Sequence, residues 1–262
     1  MKLAITGKGG VGKTTLASLL ARIYASEGYG VLAIDADPDA NLASAVGFTP
    51  ADARKITPIA ELKDLIEERT GARPGSMAPF FRLNPRVDDI PDRYCGQHEG
   101  VKLLIMGTVK KGGSGCICPE NVMIKELVSH LLIGRREVVI LDMVAGIEHL
   151  GRATAQSVDA LIVVVEPGRR SLQTAEAVQR LASDIGIKNV YAVGCKVQGQ
   201  ADRDFIKEGL PDMPVIGFLS LSPLIAEADQ RGIAPYDMDP NAVAEAKAIR
   251  DQLEARVTAA KS

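Results

Sequence analysis

Residues 7 to 14 read GKGGVGKT, and no other stretch constrains the chain so tightly. The stretch fits G-x-x-x-x-G-K-[ST]. It follows the apolar run Leu3–Thr6 and opens KTTLASLLARIYASEG, a helical pattern that ends at Gly28. A strand that turns through glycines into a helix aims several backbone N–H groups, and the positive end of the helix dipole, at one point. The loop Gly7, Lys8, Gly9, Gly10, Val11, Gly12, Lys13, Thr14 and Thr15 is therefore predicted to hold phosphate oxygens. Lys13 is expected to reach the β- and γ-phosphates, and Thr14 to hold Mg²⁺.

Short β-branched runs and longer helical patterns alternate through the rest of the chain. Leu3–Thr6, Val31–Asp35, Val101–Met106, Val138–Asp142, Ala160–Val165, Val190–Val193 and Val215–Phe218 read as strands. Most are continuously apolar, the pattern of strands buried on both faces. This predicts an α/β fold: a mostly parallel central sheet with helices on both faces. The 262 residues are expected to form one domain, 1–262. Pro74, Pro79, Pro85 and Pro91 mark about 70–100 as an irregular insertion on the sheet, and about 240–258 is expected to be a C-terminal helix.

Two acidic stretches follow buried strands. In AIDADPDANL, Asp35, Asp37 and Asp39 crowd together, and clustered carboxylates repel unless a cation or separate partners take them up. Asp39 has a plain alternative role as the cap of the next helix. Asp142 ends its apolar run where a carboxylate would stand near Mg²⁺ through water, and Gly146 could offer its N–H to the γ-phosphate.

The chain has four cysteines. Cys116 and Cys118 stand one residue apart in GGSGCICP, too close for an unstrained disulfide. Thiolates are soft ligands for Zn²⁺, Ni²⁺, Cu(I) or an Fe–S cluster. One pair supplies two ligands where such sites take four, and two copies meeting at a two-fold axis would supply four. The plain alternative is a pair of incidental small apolar side chains. Cys95 and His98 have C-x-x-H spacing and are weaker metal candidates; His130, on an apolar helical pattern, is expected to be structural. His149 could couple the nucleotide site to an interface.

Composition narrows the partners. Net charge is −2 and Trp is absent, which argues against a nucleic acid or anionic membrane partner. No apolar run approaches about 18 residues, and the N-terminus lacks the pattern of a secretory signal, so a cytoplasmic chain with reduced thiols is expected.

With Lys8, the loop reads KGGxGKT and resembles the deviant Walker A ATPases, the group of MinD, ParA, the nitrogenase iron protein and metal-site maturation factors. The resemblance implies a homodimer in which Lys8 crosses to the partner's phosphates. It also implies that Asp37 positions or activates the attacking water. Asp142, Ala145, Gly146 and Glu148 match D-x-x-A-G-x-E. Many relatives carry Asn where this chain has Cys195. Base contacts are expected instead from Lys196 or from the loop around Leu219 and Leu221, and selection of ATP is implied by family alone.

The deviant loop, DADPDANL, the C-x-C ahead of a helix and AGIEHLGR together look like the carbon monoxide dehydrogenase nickel-insertion accessory ATPases of the CooC type. The resemblance implies an ATP-dependent dimer that binds Ni²⁺ or Zn²⁺ through Cys116 and Cys118 at its interface. It further implies a nickel-enzyme client, either carbon monoxide dehydrogenase or acetyl-CoA synthase. Two rivals stay open: an Fe–S electron-transfer ATPase like the nitrogenase iron protein, and a positioning ATPase like MinD or ParA.

Overall fold

Continuous apolar strands need cover on both faces, and the computed structural model supplies it. It describes residues 1–37, 39–74, 80, 82–107, 119–134, 137–144 and 158–261. Among these, eight strands form one sheet: β1 Lys2–Gly7, β2 Val31–Ala36, β3 Gly96–His98, β4 Val101–Ile105, β5 Val138–Met143, β6 Ala160–Val165, β7 Val190–Val197 and β8 Val215–Ser220. Their spatial order is β3-β4-β2-β5-β1-β6-β7-β8. All neighbours are parallel except β3, which runs antiparallel to β4. The mostly parallel sheet expected from the sequence is the sheet observed.

Alternate residues of each strand feed two separate cores. Leu32, Ile34, Val139, Leu141, Leu161 and Val163 point into one, and Leu3, Ile5, Ala33, Ile140, Ile162 and Val164 into the other. Helix α1 (Lys13–Ser26) covers the second face, burying Leu16, Leu19, Leu20 and Ile23. Further along come α2 (Leu42–Val46), α3 (Pro50–Ala53), α4 (Lys63–Thr70), α5 (Ile90–Tyr94), α6 (Pro119–Gly134), α7 (Arg169–Ile185), α8 (Gln200–Gly209), α9 (Pro223–Arg231), α10 (Pro235–Met238) and α11 (Pro240–Lys261). Helix α7 ends as its sequence requires, on Gly186 in the left-handed region at φ 85°. Helix α11 lays Ala242, Ala246, Ile249, Leu253 and Val257 on the second core, a stripe at steps of three and four.

Two expectations are corrected. The stretch read as irregular over 70–100 contains a hairpin. Glu99 (φ 46°) and Gly100 (φ 78°) form a tight turn that brings His98 opposite Val101. A strand of Gly, Gln and His lacks the apolar alternation that would reveal it. Strand β7 also runs past Val193 to Val197, so Cys195 and Lys196 lie on the strand rather than beyond it.

Candidate functional site

The chain leaves β1 at Gly7 next to β6. A Cβ at Gly7 would stand 2.3 Å from the Val164 carbonyl oxygen, a backbone atom that cannot swing away, so only glycine fits. The loop then bends into α1 at Gly12, whose φ is 107° and whose open side faces the Cys195 side chain. At Gly9 and Gly10 a Cβ would meet nothing within 4 Å, so the loop's backbone is accessible there. No side chain caps α1 and no acidic residue lies in its first turn. Among the described residues no side chain therefore caps its N-terminal amides, which suits an anion.

Lys13 is 6% exposed, and its Nζ donates to the Lys8 carbonyl at 3.5 Å and stands 3.9 Å from Asp37 Oδ2. The other Asp37 oxygen accepts the Asp39 N–H at 3.0 Å. Asp37 therefore stands beside Lys13, held by its own loop. Asp39 does not cap the next helix. The Leu42 N–H at the start of α2 donates to Asp35 Oδ2 at 2.9 Å, and the Asp37 N–H donates to Asp35 Oδ1 at 3.2 Å. Asp35, wholly buried at the end of β2, organises the loop that carries Asp37.

Asp142 lies opposite Asp35 across the β2–β5 ladder. Its Oδ2 accepts the Thr14 hydroxyl at 2.7 Å, while its Oδ1 is buried with no hydrogen-bond partner among the described residues. Burial pushes the Asp142 carboxyl up to about 6 and the Asp35 carboxyl up to about 7, and for Asp35 the neighbouring Asp142 charge adds to the rise. A buried carboxylate with a free oxygen, touching a P-loop threonine, is the donor set a Mg²⁺ ion with its water shell would use. Thr14 and Asp142 fit that ion.

Lys8 is partly exposed and pairs with Glu166, past the end of β6, at 3.6 Å. A surface pair of this kind is worth at most about 1 kcal/mol, so a competing partner for Lys8 has little to displace. Glu166 carried no sequence signal beyond following an apolar run.

A cavity of about 580 Å³ opens from Gly9, Gly10, Gly12 and Lys13 past Asp37 and Asn41 to Lys196, Leu221, Ile225 and Pro235. Leu219 is buried beneath its wall and Leu221 stands half exposed at its rim. Cys195 is wholly buried, and burial raises its thiol to about 12, so it stays neutral. Lys196 points its Nζ at the Gly10 carbonyl. The cavity wall is held by Glu245 of α11, whose carboxylate accepts the Ser220 N–H at 2.7 Å and the Ser220 hydroxyl at 2.6 Å. The sequence reading missed Asp35, Glu166 and Glu245 in these roles.

Cys116, Cys118, Ala145, Gly146, Glu148 and His149 lie outside the described residues. Cys95 and His98 part company: Cys95 packs against the first core, whereas the His98 ring meets Phe48 of the second at 5.2 Å. Opposite faces of the sheet do not make one metal site. Among the described residues no group of three or more His, Cys, Asp or Glu could hold a metal, and no helix is long and apolar enough to cross a membrane.

The model of the CobQ/CobB/MinD/ParA nucleotide-binding domain matches residues 2–236. The chain is 47% identical over 257 residues to the carbon monoxide dehydrogenase accessory protein CooC of Rhodospirillum rubrum, covering 98% of this chain and 97% of that one. It is 43% identical over 252 residues to an uncharacterised ATP-binding protein of Methanocaldococcus jannaschii, covering 95% and 96%. In fold it is similar to the septum site-determining protein MinD of Pyrococcus horikoshii, solved with Mg-ADP. That match has a TM-score of 0.64 at 18% identity and covers 97% of this chain and 96% of that one.

Proposed function

The chain belongs to the CobQ/CobB/MinD/ParA nucleotide-binding family and is CooC-like along nearly its whole length, and from that premise we propose that it is an ATP-hydrolysing maturation factor for a nickel enzyme. It acts as one P-loop ATPase domain, dimerises in the cytoplasm, and delivers nickel to carbon monoxide dehydrogenase or acetyl-CoA synthase. The likeness to the Rhodospirillum rubrum accessory protein carries the reading. The pairing of Thr14 with a buried, half-free Asp142 beneath a glycine loop supports its nucleotide half.

In this reading the amides of Gly9 to Thr15, with the Gly146 N–H, bind the phosphates, and Lys13 neutralises the β- and γ-oxygens. Thr14 and Asp142 hold Mg²⁺, which supplies further charge neutralisation on the phosphates. Asp37, 3.9 Å from Lys13, positions the attacking water and accepts its proton. Lys8 leaves Glu166 and reaches the phosphates of a second copy, so that hydrolysis waits for the dimer to close. Leu219 and Leu221 lie on the side of the cavity where the base would rest. Cys116 and Cys118 of the two copies supply four thiolates for Ni²⁺ or Zn²⁺, the cargo. No step calls on nucleic acid or membrane.

Metal binding to the anaerobic, reduced protein, with mass from sedimentation, tests the cargo. About one Ni²⁺ or Zn²⁺ per dimer is expected, lost together with metal-induced dimerisation in a Cys116→Ala/Cys118→Ala variant. Binding that ignores the two cysteines overturns the nickel reading. A brown, oxygen-sensitive protein with visible absorbance would instead favour an Fe–S electron-transfer ATPase.

A further inference from the structure

Lys196 holds an unusual backbone. Its φ is 58°, in the left-handed region that side chains other than glycine, Asn and Asp seldom adopt. The β7–β8 ladder slips register between Gly194 and Val197, so the strand bulges where Cys195 and Lys196 stand. The bulge turns two consecutive residues onto the glycine loop, more than 180 positions away in sequence. The Cys195 side chain lies where a Cβ on Gly12 would be 3.3 Å from its own Cβ, and the Lys196 ammonium donates to the Gly10 carbonyl. A trans peptide points the next N–H opposite to its carbonyl. A cation fixed on the Gly10 carbonyl therefore also fixes the Val11 N–H, which donates to the Lys8 carbonyl at 3.5 Å and closes the loop on itself. Lys13 donates to that same Lys8 carbonyl.

We propose that Lys196 is a positioning residue that straps the phosphate loop in its binding shape through the Gly10 carbonyl, and that it does not read the base. The inference rests on the nucleotide reading of the site. It assigns the strained bulge a purpose, since left-handed strain at a lysine persists where the surrounding structure uses it.

The test separates phosphate from base. Wild-type chain and the variants Lys196→Met, Lys196→Arg and Lys196→Gly are titrated with Mg·ATP and with Mg·tripolyphosphate, which has the phosphates and no nucleoside. Losing one charge-assisted hydrogen bond that preorganises the loop should weaken both ligands by roughly tenfold in Lys196→Met. Lys196→Arg should recover most of that loss. Lys196→Gly suits the left-handed backbone and should match Lys196→Met, which rules out backbone strain as the cause. Weakened Mg·ATP binding with unchanged Mg·tripolyphosphate binding would mean that Lys196 contacts the nucleoside and would overturn the strap. Unchanged binding of both ligands overturns it as well. A wild-type chain that binds neither ligand overturns the nucleotide reading of the site, and the strap with it.

Discussion

Asp37 is held by a bond from its own loop and faces Lys13 across 3.9 Å, so its charge and its position are separable. On the proposed reading, Asp37→Asn keeps the shape and removes the base. Phosphate release should slow by about a hundredfold or more, the usual contribution of a positioned general base, with Mg·ATP affinity nearly unchanged. Wild-type turnover in this variant would remove Asp37 from the chemistry. Asp35 makes a different prediction. Its carboxyl is raised to about 7 in the folded chain, so between about 4 and 7 the folded state holds a proton that the unfolded state has released. Stability of the nucleotide-free protein therefore falls as pH rises through that window, and Asp142, raised to about 6, adds the same sign. Thermal unfolding at pH 5 should exceed that at pH 8 by about 3 °C or more, and Asp35→Asn should flatten the slope. At this scale the glycine loop between β1 and α1 was legible because its spacing by itself marks a strand turning into a helix. Asp35 was visible as a carboxylate but not as the group that takes the Leu42 N–H seven positions on, because the path of the intervening chain decides which aspartate turns inward.

Strands β5 and β6 were legible because every residue in them is buried: β6 is apolar throughout, and β5 opens on four apolar residues before Asp142. Strand β3 was not, since it is held by a turn and by backbone pairing to β4 rather than by its side chains. The end of β8 shows how one element sets another. Ser220 gives both its N–H and its hydroxyl to Glu245 on α11, and the Leu221 N–H donates to the Val197 carbonyl at 2.9 Å. The cavity wall is thus clamped between the C-terminal helix and β7. Glu245→Ala removes two charge-assisted bonds and should lower stability by about 1–3 kcal/mol in denaturant unfolding. Mg·ATP affinity should fall with it, while the rate of hydrolysis by bound nucleotide holds. A loss of turnover without loss of affinity would show that the clamp serves the chemistry instead.

The whole molecule places β1 between β5 and β6, near the middle of the sheet, so the phosphate loop emerges with acidic strand ends on one side and the β7 bulge on the other. Lys8 stands at the rim, tied to Glu166 of its own chain by a partly exposed contact. If that lysine serves a second copy, hydrolysis per chain should rise with protein concentration. Lys8→Ala should abolish the rise and leave the binding of Mg·ATP to single chains within about threefold. A rate independent of concentration in the wild type would confine Lys8 to its own chain. By itself the sequence determined the glycine loop, the two-faced burial of the strands and the acidic ends of β2 and β5, because those follow from spacing and periodicity within a few residues. Only the tertiary structure decided that Asp142 meets Thr14, that Glu245 clamps Ser220, that Glu166 holds Lys8 and that Lys196 reaches Gly10. Local periodicity tells which face a residue takes, whereas the order of strands in the sheet decides what it meets there.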